Sequence, residues 1–192
     1  MGSNGLKIIL LTIGHSTRSL DEFLSVLREF KVEVLLDIRR FPGSRRFPHF
    51  NRESLQKTLP SAGIEYIWLE DLGGRRSGPD NADSLNKGLV HSAFRHYADY
   101  MQTPQFRLAA EKLLSIASEK SSAVMCAEKL FWKCHRRLLS DYLVAHGVIV
   151  EHIIDAGRIQ SHKLSNGAVF TPDLGLTYPV SAPHEGDPKL FE

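Results

Sequence analysis

Reactive side chains follow several short apolar runs of the chain, at points where strands would end. Three such clusters are His15 with Ser16, Asp37 with Arg39, and Cys126 with Glu128. In open parallel sheets, ligands bind outside the carboxyl ends of the strands, so we expect these side chains around one concavity. Imidazole, carboxylate and thiol groups act there as acids, bases or nucleophiles. We therefore predict His15, Asp37, Cys126 and Glu128 as catalytic residues, and Ser16 and Arg39 as ligand-binding residues.

Each cluster also has a purely structural interpretation. His15 would then cap a turn, Asp37 and Arg39 would pair at the sheet edge, and Cys126 would be an inert, buried cysteine in its apolar surroundings. We favour a ligand-binding site over an accidental cluster of all these groups at one edge of the sheet, because functional groups favour that edge.

The segment Cys134-His135-Arg136 lies where a helix is predicted to begin. Free backbone N–H groups and the helix dipole favour an anion there, and the basic neighbours push the thiol toward thiolate. We predict Cys134 as a candidate nucleophile that reacts faster than Cys126, with His135 and Arg136 binding the ligand. The alternative is that Arg136 is an ordinary solvent-facing helix charge.

Cys126, Cys134 and His135 together offer three ligands of the types that zinc prefers. The seven residues between the cysteines do not match the usual close pairs, and no fourth ligand is evident. The sequence also lacks a Walker loop, a dinucleotide fingerprint and a Gly-x-Ser-x-Gly elbow. We therefore predict no metal and no cofactor.

A basic and aromatic stretch covers residues 39–52, between a predicted strand and a predicted helix. It contains five arginines and three phenylalanines. Arginines bind phosphates in a bidentate manner, and aromatic rings stack on bases, so Ser44, Arg45 and Arg46 are predicted to bind ligand. The alternative, given equal weight, is a proline-stiffened loop whose phenylalanines pack on the core.

Strands and helices alternate along the chain, and these are the elements that must position the reactive groups. Strands are predicted at Lys7–Ile13, Val32–Ile38, Ile64–Leu69, Ala123–Cys126 and Val148–Ile154, with helices between them. This alternation predicts an α/β fold, a single domain with a mainly parallel sheet and helices on both faces. We place the domain at residues 5–155, followed by a C-terminal extension at 156–192 that forms a hairpin or a partly ordered tail. Asn166-Gly167 could turn that hairpin.

Length and composition limit the class of protein. The chain has 192 residues and a formal net charge of +2, so any anionic partner must be attracted by local charge. Its two cysteines are too few for a disulfide scaffold, and no apolar run is long enough to cross a bilayer. We expect a cytoplasmic protein with no membrane partner, and the sequence does not define its oligomeric state.

Taken together, these motifs resemble the family known as domain of unknown function 488. The matching pieces are Thr12-Ile13-Gly14-His15-Ser16, Asp37-Ile38-Arg39 with Phe41-Pro42 and Ser44, Cys126-Ala127-Glu128, Cys134-His135-Arg136, and His152-Ile153. The resemblance covers about Lys7 to Ile154. It implies a shared site but brings no established reaction. Phe131 and Trp132 stand where a more polar loop is expected in such proteins.

Two functions fit these observations. The first is an enzyme that acts on a phosphate-bearing substrate, a nucleotide or nucleic acid, with Arg39 and Arg136 on the phosphate and His15 shuttling a proton. The second is a non-catalytic module that binds a nucleotide or single-stranded nucleic acid through the same groups, with the basic loop as its platform.

Overall fold

A six-stranded sheet forms the centre of the protein, with strand order β3-β2-β4-β1-β5-β6. The computed structural model describes residues 7–78 and 81–180. All neighbouring strands in this sheet are parallel except β5 and β6, which are antiparallel. The predicted α/β fold with a mainly parallel sheet is therefore confirmed.

The strands and helices follow one another in the alternating order that the sequence predicts. The strands are β1 Ile9–Gly14, β2 Val34–Asp37, β3 Glu65–Trp68, β4 Ser122–Cys126, β5 Ile149–Asp155, β6 Arg158–Ser161, β7 Val169–Thr171 and β8 Gly175–Thr177. The α-helices are α1 Leu20–Glu29, α2 Arg52–Ser61, α3 Ser92–Met101, α4 Pro104–Glu119 and α5 Arg136–Ala145.

The core consists of two apolar layers, one on each face of the sheet. Successive residues of a strand point to opposite faces, so Leu36 joins one layer while its neighbour Leu35 joins the other. Helices α1 and α2 cover the Leu35 face, and α3, α4 and α5 cover the Leu36 face. Strands β2 and β4 are buried at every position, as expected for parallel strands covered on both faces.

Local capping explains where some helices begin. At α1, the Ser19 side chain accepts from the Glu22 amide and the Glu22 carboxylate accepts from the Ser19 amide, which forms a capping box. Asn51 occupies the N-cap position of α2, but its side chain makes no capping bond there. Its Oδ1 atom instead accepts from the Ser44 amide at 2.5 Å, so Asn51 fixes the preceding loop.

The chain after β5 joins the same body. Strand β6 extends the sheet, while β7 and β8 form a separate two-stranded hairpin. The turn of that hairpin lies at residues 172–174, whereas Asn166-Gly167 forms an earlier turn before β7. The predicted turn position was therefore wrong. Residues 5–6 and 181–192 of the predicted domain and extension lie outside the described residues.

A row of hydrogen-bonded side chains, which we call the histidine chain, connects β1 to this C-terminal segment. It contains Thr12, His152, His162, Asp141 and Tyr178. Its four contacts are 2.7 Å from Thr12 Oγ1 to His152 Nδ1, 2.9 Å from His152 Nε2 to His162 Nδ1, 2.8 Å from His162 Nε2 to Asp141 Oδ1, and 2.7 Å from the Tyr178 hydroxyl to Asp141 Oδ2. The histidine chain thereby attaches the end of the described chain to the sheet.

Within the described residues, none of the helices combines the length and the apolar character needed to cross a membrane.

Candidate active site

A cavity of about 650 Å³ lies at the carboxyl ends of β1, β2 and β4. Its floor is closed because the segments that leave β1 and β4 remain hydrogen-bonded after the strands end. The amides of His15 and Ser16 donate to the carbonyls of Cys126 and Ala127, both at 2.9 Å. A Cβ atom at Gly14 would collide with the Glu128 carbonyl, so this close approach requires glycine.

One side of the cavity is built on His15, Arg39 and Phe50. The His15 ring stacks on the Phe50 ring, with 4.2 Å between the ring centroids. Arg39 donates through Nε to Asp37 Oδ1 at 2.9 Å and through Nη2 to the Phe50 carbonyl at 2.8 Å. Asp37 is fully buried and also accepts from the Tyr66 hydroxyl at 2.7 Å. The Asp37 carboxylate thus lies behind the cavity wall and orients Arg39.

The hydrogen bonds around His15 define its protonation. Its Nε2 atom lies 3.3 Å from Arg39 Nη1, which can only donate, so Nε2 accepts and Nδ1–H donates to the Ser16 carbonyl at 3.0 Å. Burial, together with the charge of Arg39, lowers the pKa of His15 to about 4. His15 is therefore neutral at pH 7, and its Nε2 atom can take a proton only when the contact with Arg39 Nη1 is broken.

The other side of the cavity brings together Cys126, Cys134 and His135. Cys126 ends β4, while Cys134 and His135 precede α5. His135 Nδ1 lies 3.5 Å from Cys134 Sγ and 4.0 Å from Cys126 Sγ. The His135 ring meets the Tyr97 ring edge-on, and its Nε2 atom is buried without a hydrogen-bond partner among the described residues.

The two thiols have opposite protonation preferences. A hydrogen bond from the Cys126 thiol lowers the pKa of Cys134 well below its usual value, and His135 and Arg136 act in the same direction. The same hydrogen bond and burial raise the pKa of Cys126 well above its usual value. The direction agrees with the order of reactivity predicted from sequence, but the largest cause is the neighbouring thiol rather than the helix start.

Arg136 lies behind the cavity and does not line it. Its side chain is 1 % exposed and donates to Thr12 Oγ1 and to the backbone carbonyls of Glu128 and Lys129. It holds in place the loop that carries Glu128, an exposed residue that lines the cavity and whose Oε1 atom accepts from the Leu130 amide at 3.1 Å. The structure therefore brings neither Asp37 nor Arg136 to the cavity surface.

Different residues of the loop at 39–52 agree with the two interpretations given above, packing on the core and ligand binding. Phe50 is fully buried in the core, as the packing interpretation predicts, and Phe47 is partly buried. Phe41 is 63 % exposed and lines the cavity with Ser44 and Phe47. Arg45 and Arg46 are exposed beside the cavity but do not line it.

Cations outnumber anions on the cavity wall. Among the described residues that line it, the basic ones are Arg39, Arg40, Arg75, Lys129 and Lys133, and the acidic one is Glu128. Asp37 neutralises Arg39, and Asp155 pairs with Lys129 at 3.1 Å. Arg40, Arg75 and Lys133 remain as the cations most available to an anionic ligand.

Sequence reasoning missed the part of the site that comes from the polar segment after β3 and from α3. Gly74, Arg75, Phe94 and Tyr97 all line the cavity. Phe94 and Tyr97 lie on α3, and Gly74 and Arg75 lie several residues beyond the end of β3. Reasoning from the residues directly after each strand could therefore not find them. Phe131 and Trp132 do not line the cavity; Phe131 stacks on the His152 ring instead, with 3.5 Å between centroids.

Backbone strain is concentrated at this cavity. The described residues include three non-glycine residues with positive φ, and two of them, Ser16 at 55° and Arg75 at 54°, line the cavity. Such conformations cost roughly 1–3 kcal/mol and are retained where the surrounding structure enforces them, commonly at functional sites.

Comparison with protein families gives one match, to the family described as "Domain of unknown function DUF488". The match covers residues 19–143, which is more than half of the chain. It includes Asp37, Arg39, Cys126, Cys134 and His135, while His15 lies just before it. A search of the curated proteins and a search of the solved structures each found no significant match.

Proposed function

Because the chain belongs to the DUF488 family, whose description carries no activity, we propose a function from the site itself: an enzyme that acts on a phosphate-bearing ligand, a nucleotide or nucleic acid, bound in this cavity. The observation that carries the proposal is the unbalanced positive charge of a cavity that also contains thiols and imidazoles. Its volume of about 650 Å³ lies in the range of small-molecule sites.

The three available cations have distinct positions around the ligand. Arg40 and Arg75 come from the segments that follow β2 and β3, and Lys133 comes from the loop before α5. Cations on separate segments can contact different phosphate oxygens, and guanidinium groups do so in a bidentate manner. Phe41 and Phe94 provide apolar ring surface on which a base can stack.

The reactive groups then lie at the floor of the same cavity. In this proposal the Cys134 thiolate acts on the ligand as the nucleophile, and the Glu128 carboxylate accepts or donates a proton. His15 is neutral and contributes mainly by holding Arg39. The two cysteines are free, so neither sulfur is tied up in a disulfide.

Calorimetric titration with nucleoside monophosphates and triphosphates tests the binding step. We expect binding that weakens about tenfold to hundredfold in an Arg75→Gln/Lys133→Gln variant, because two charge-assisted contacts are lost. The control is Lys57→Gln/Lys112→Gln, which removes two exposed lysines from α2 and α4 and should bind normally. Equal affinity in both double variants would contradict the proposal. Chromatography of the incubated ligand then tests turnover.

A second function is favoured by the exposed Arg45, Arg46 and Phe41 beside the cavity: non-catalytic binding of single-stranded nucleic acid. Binding of a short oligonucleotide should then weaken with salt, and Arg45→Ala/Arg46→Ala should lower the slope of log K against log salt by about 1–2. The matched control is Arg28→Ala/Lys57→Ala, at exposed positions of α1 and α2. Binding without turnover supports this second function. An unchanged slope leaves the loop with its packing role.

A further inference from the structure

We propose that Cys126, Cys134 and His135 form a Zn²⁺ site whose fourth coordination position opens into the cavity. Their three ligand atoms, the two Sγ atoms and an imidazole nitrogen, lie within 4.8 Å of one another. The site goes beyond the proposed function and does not depend on it, because it rests on protein ligands alone.

The distances between the ligand atoms are close to those around a tetrahedral zinc ion. Zinc bonds of about 2.3 Å to sulfur and about 2.0 Å to nitrogen place the sulfur and nitrogen atoms about 3.5 Å apart, and two sulfur atoms about 3.8 Å apart. His135 Nδ1 lies 3.5 Å from Cys134 Sγ and 4.0 Å from Cys126 Sγ. The two sulfur atoms lie within 4.8 Å of each other, so one metal ion can contact all three atoms after movements of up to about 1 Å.

The chemistry of the three groups favours zinc over hard cations. Thiolate and imidazole ligands bind borderline-soft metals such as Zn²⁺, whereas Mg²⁺ and Ca²⁺ require oxygen ligands. Both cysteines are largely buried, at 9 % and 5 % exposed for Cys126 and Cys134. Two buried thiolates are electrostatically costly alone, and a divalent cation neutralises them.

The His135 ring makes its polar contacts through one nitrogen atom, Nδ1. Its Nε2 atom has no hydrogen-bond partner among the described residues, so the ring's polar contacts are those toward the two sulfur atoms. Histidine ligands of tightly held metals usually donate their second N–H to a carboxylate or carbonyl. Without such a partner, we expect a metal that chelators can remove and that can be replaced.

The open position follows from the ligand count. Among the described residues, the cluster contains these three ligands and no fourth histidine, cysteine or carboxylate. All three also line the cavity. Three protein ligands with a fourth position for water or substrate are typical of catalytic zinc sites, whereas structural sites are closed by four.

Cobalt substitution of the reduced full-length protein tests the site directly. We expect one Co²⁺ per chain, a sulfur-to-cobalt charge-transfer band in the near ultraviolet, and the intense visible bands of tetrahedral coordination. Zn²⁺ should displace the cobalt, and azide should shift the visible bands by occupying the open position. Absence of the charge-transfer band would overturn the metal site, and insensitivity to azide would overturn its open position.

Variants then identify the ligands. Metal content of Cys126→Ser, Cys134→Ser and His135→Gln, measured by elemental analysis after zinc loading, should fall from one ion per chain to near zero. His146→Gln changes an exposed histidine at the other end of α5 and should keep one ion. Equal zinc content in His135→Gln and His146→Gln would overturn the assignment. Nucleotide titration of the metal-free protein separately tests the phosphate cations, so failure of one proposal does not imply failure of the other.

Discussion

Two clusters of polar side chains lie near the centre of this molecule, and they differ in the partners of their polar atoms. One is the histidine chain, and the other is the cavity cluster of Cys126, Cys134 and His135. In the histidine chain, both nitrogens of His152 and both of His162 have a hydrogen-bond partner. Around the cavity, the two sulfur atoms and one nitrogen of His135 face each other, and His135 Nε2 has no partner among the described residues. A fully satisfied buried network specifies structure, whereas incompletely satisfied groups beside a cavity remain available for a ligand. The histidine chain should therefore control stability, and the cavity cluster should control binding.

The largest effect is expected from Asp141, which accepts from His162, Tyr178 and the Ser165 amide. Asp141→Asn cannot accept all three, because the amide nitrogen of asparagine is itself a donor. We expect the free energy of unfolding, measured by urea titration, to fall by about 3 kcal/mol. Zinc content should be unchanged.

Asp155→Asn is the matched control, because Asp155 is 55 % exposed and pairs with Arg18 and Lys129 at the surface. It should cost less than about 1 kcal/mol. Loss of zinc in the folded Asp141→Asn protein would remove the distinction between the histidine chain and the cavity cluster.

The second prediction concerns pH and His152. Burial, followed by the nearby His162 and Arg136, lowers the pKa of His152 from 6.5 to about 3. Below pH 6.5, His152 therefore binds a proton in the unfolded chain but not in the folded protein. The contribution of neutral His152 to stability is present above pH 6.5 and is lost as the pH falls toward 3.

Between pH 7 and 5, this group should remove about 2 kcal/mol of stability. His152→Gln should start less stable but lose about 2 kcal/mol less over the same interval, as measured by urea titration at each pH. His146→Gln, at an exposed position, should keep the acid sensitivity of the unmodified protein. Parallel pH curves for all three proteins would show that His152 is not the sensitive group.

The third prediction tests how tightly the cavity cluster is positioned. A Cβ atom at Gly74 would lie 2.7 Å from His135 Nδ1, closer than side-chain packing allows. Gly74→Ala should therefore displace the ring and weaken zinc binding about tenfold to hundredfold, as changes around metal ligands commonly do. A chelator competition titration measures the affinity. Gly78→Ala is the control, since a Cβ atom there meets nothing within 4 Å. Equal zinc affinity in the two alanine variants would count against the proposed role of His135.

The smallest expected effect is a several-fold difference in alkylation between the two thiols of the metal-free protein. Cys134 should react with iodoacetamide first, because the hydrogen bond from Cys126 lowers the pKa of Cys134. Peptide mapping by mass spectrometry after a short exposure measures the order. Urea-unfolded protein provides the control, since the folded environment is gone and the rates should converge. Faster labelling of Cys126 would reverse the assignment of the thiolate.

Strand-end reasoning predicted which edge of the sheet carries the site but not the depth of each side chain. His15 and Cys126 lie at that edge because both follow parallel strands that pair side by side. Asp37 and Arg136 come from the same edge but turn inward, and this depends on tertiary partners such as Tyr66 and Thr12 that the local sequence does not reveal.

Two further features depend on the path of the chain in space. The seven residues between Cys126 and Cys134 argued against a metal site, yet the segment returns over the strand end and brings the sulfur atoms together. Gly74 and Arg75 enter the cavity from a polar segment without hydrophobic periodicity, so no pattern could place them. Hydrophobic periodicity predicts helices and strands well, but it carries no information about the position that an irregular segment takes in the folded protein.

The position of β1 in the sheet has a consequence for biosynthesis. Leu11 lies between Ala123 of β4 and Glu151 of β5, so β1 leaves the ribosome well before either of its neighbours in the sheet. Strands β2 and β3 can pair early, but the apolar β1 must wait in the nascent chain for partners that are translated much later. Since His15 follows β1, a translation product that stops before β4 contains the first residues of the cavity but cannot assemble it.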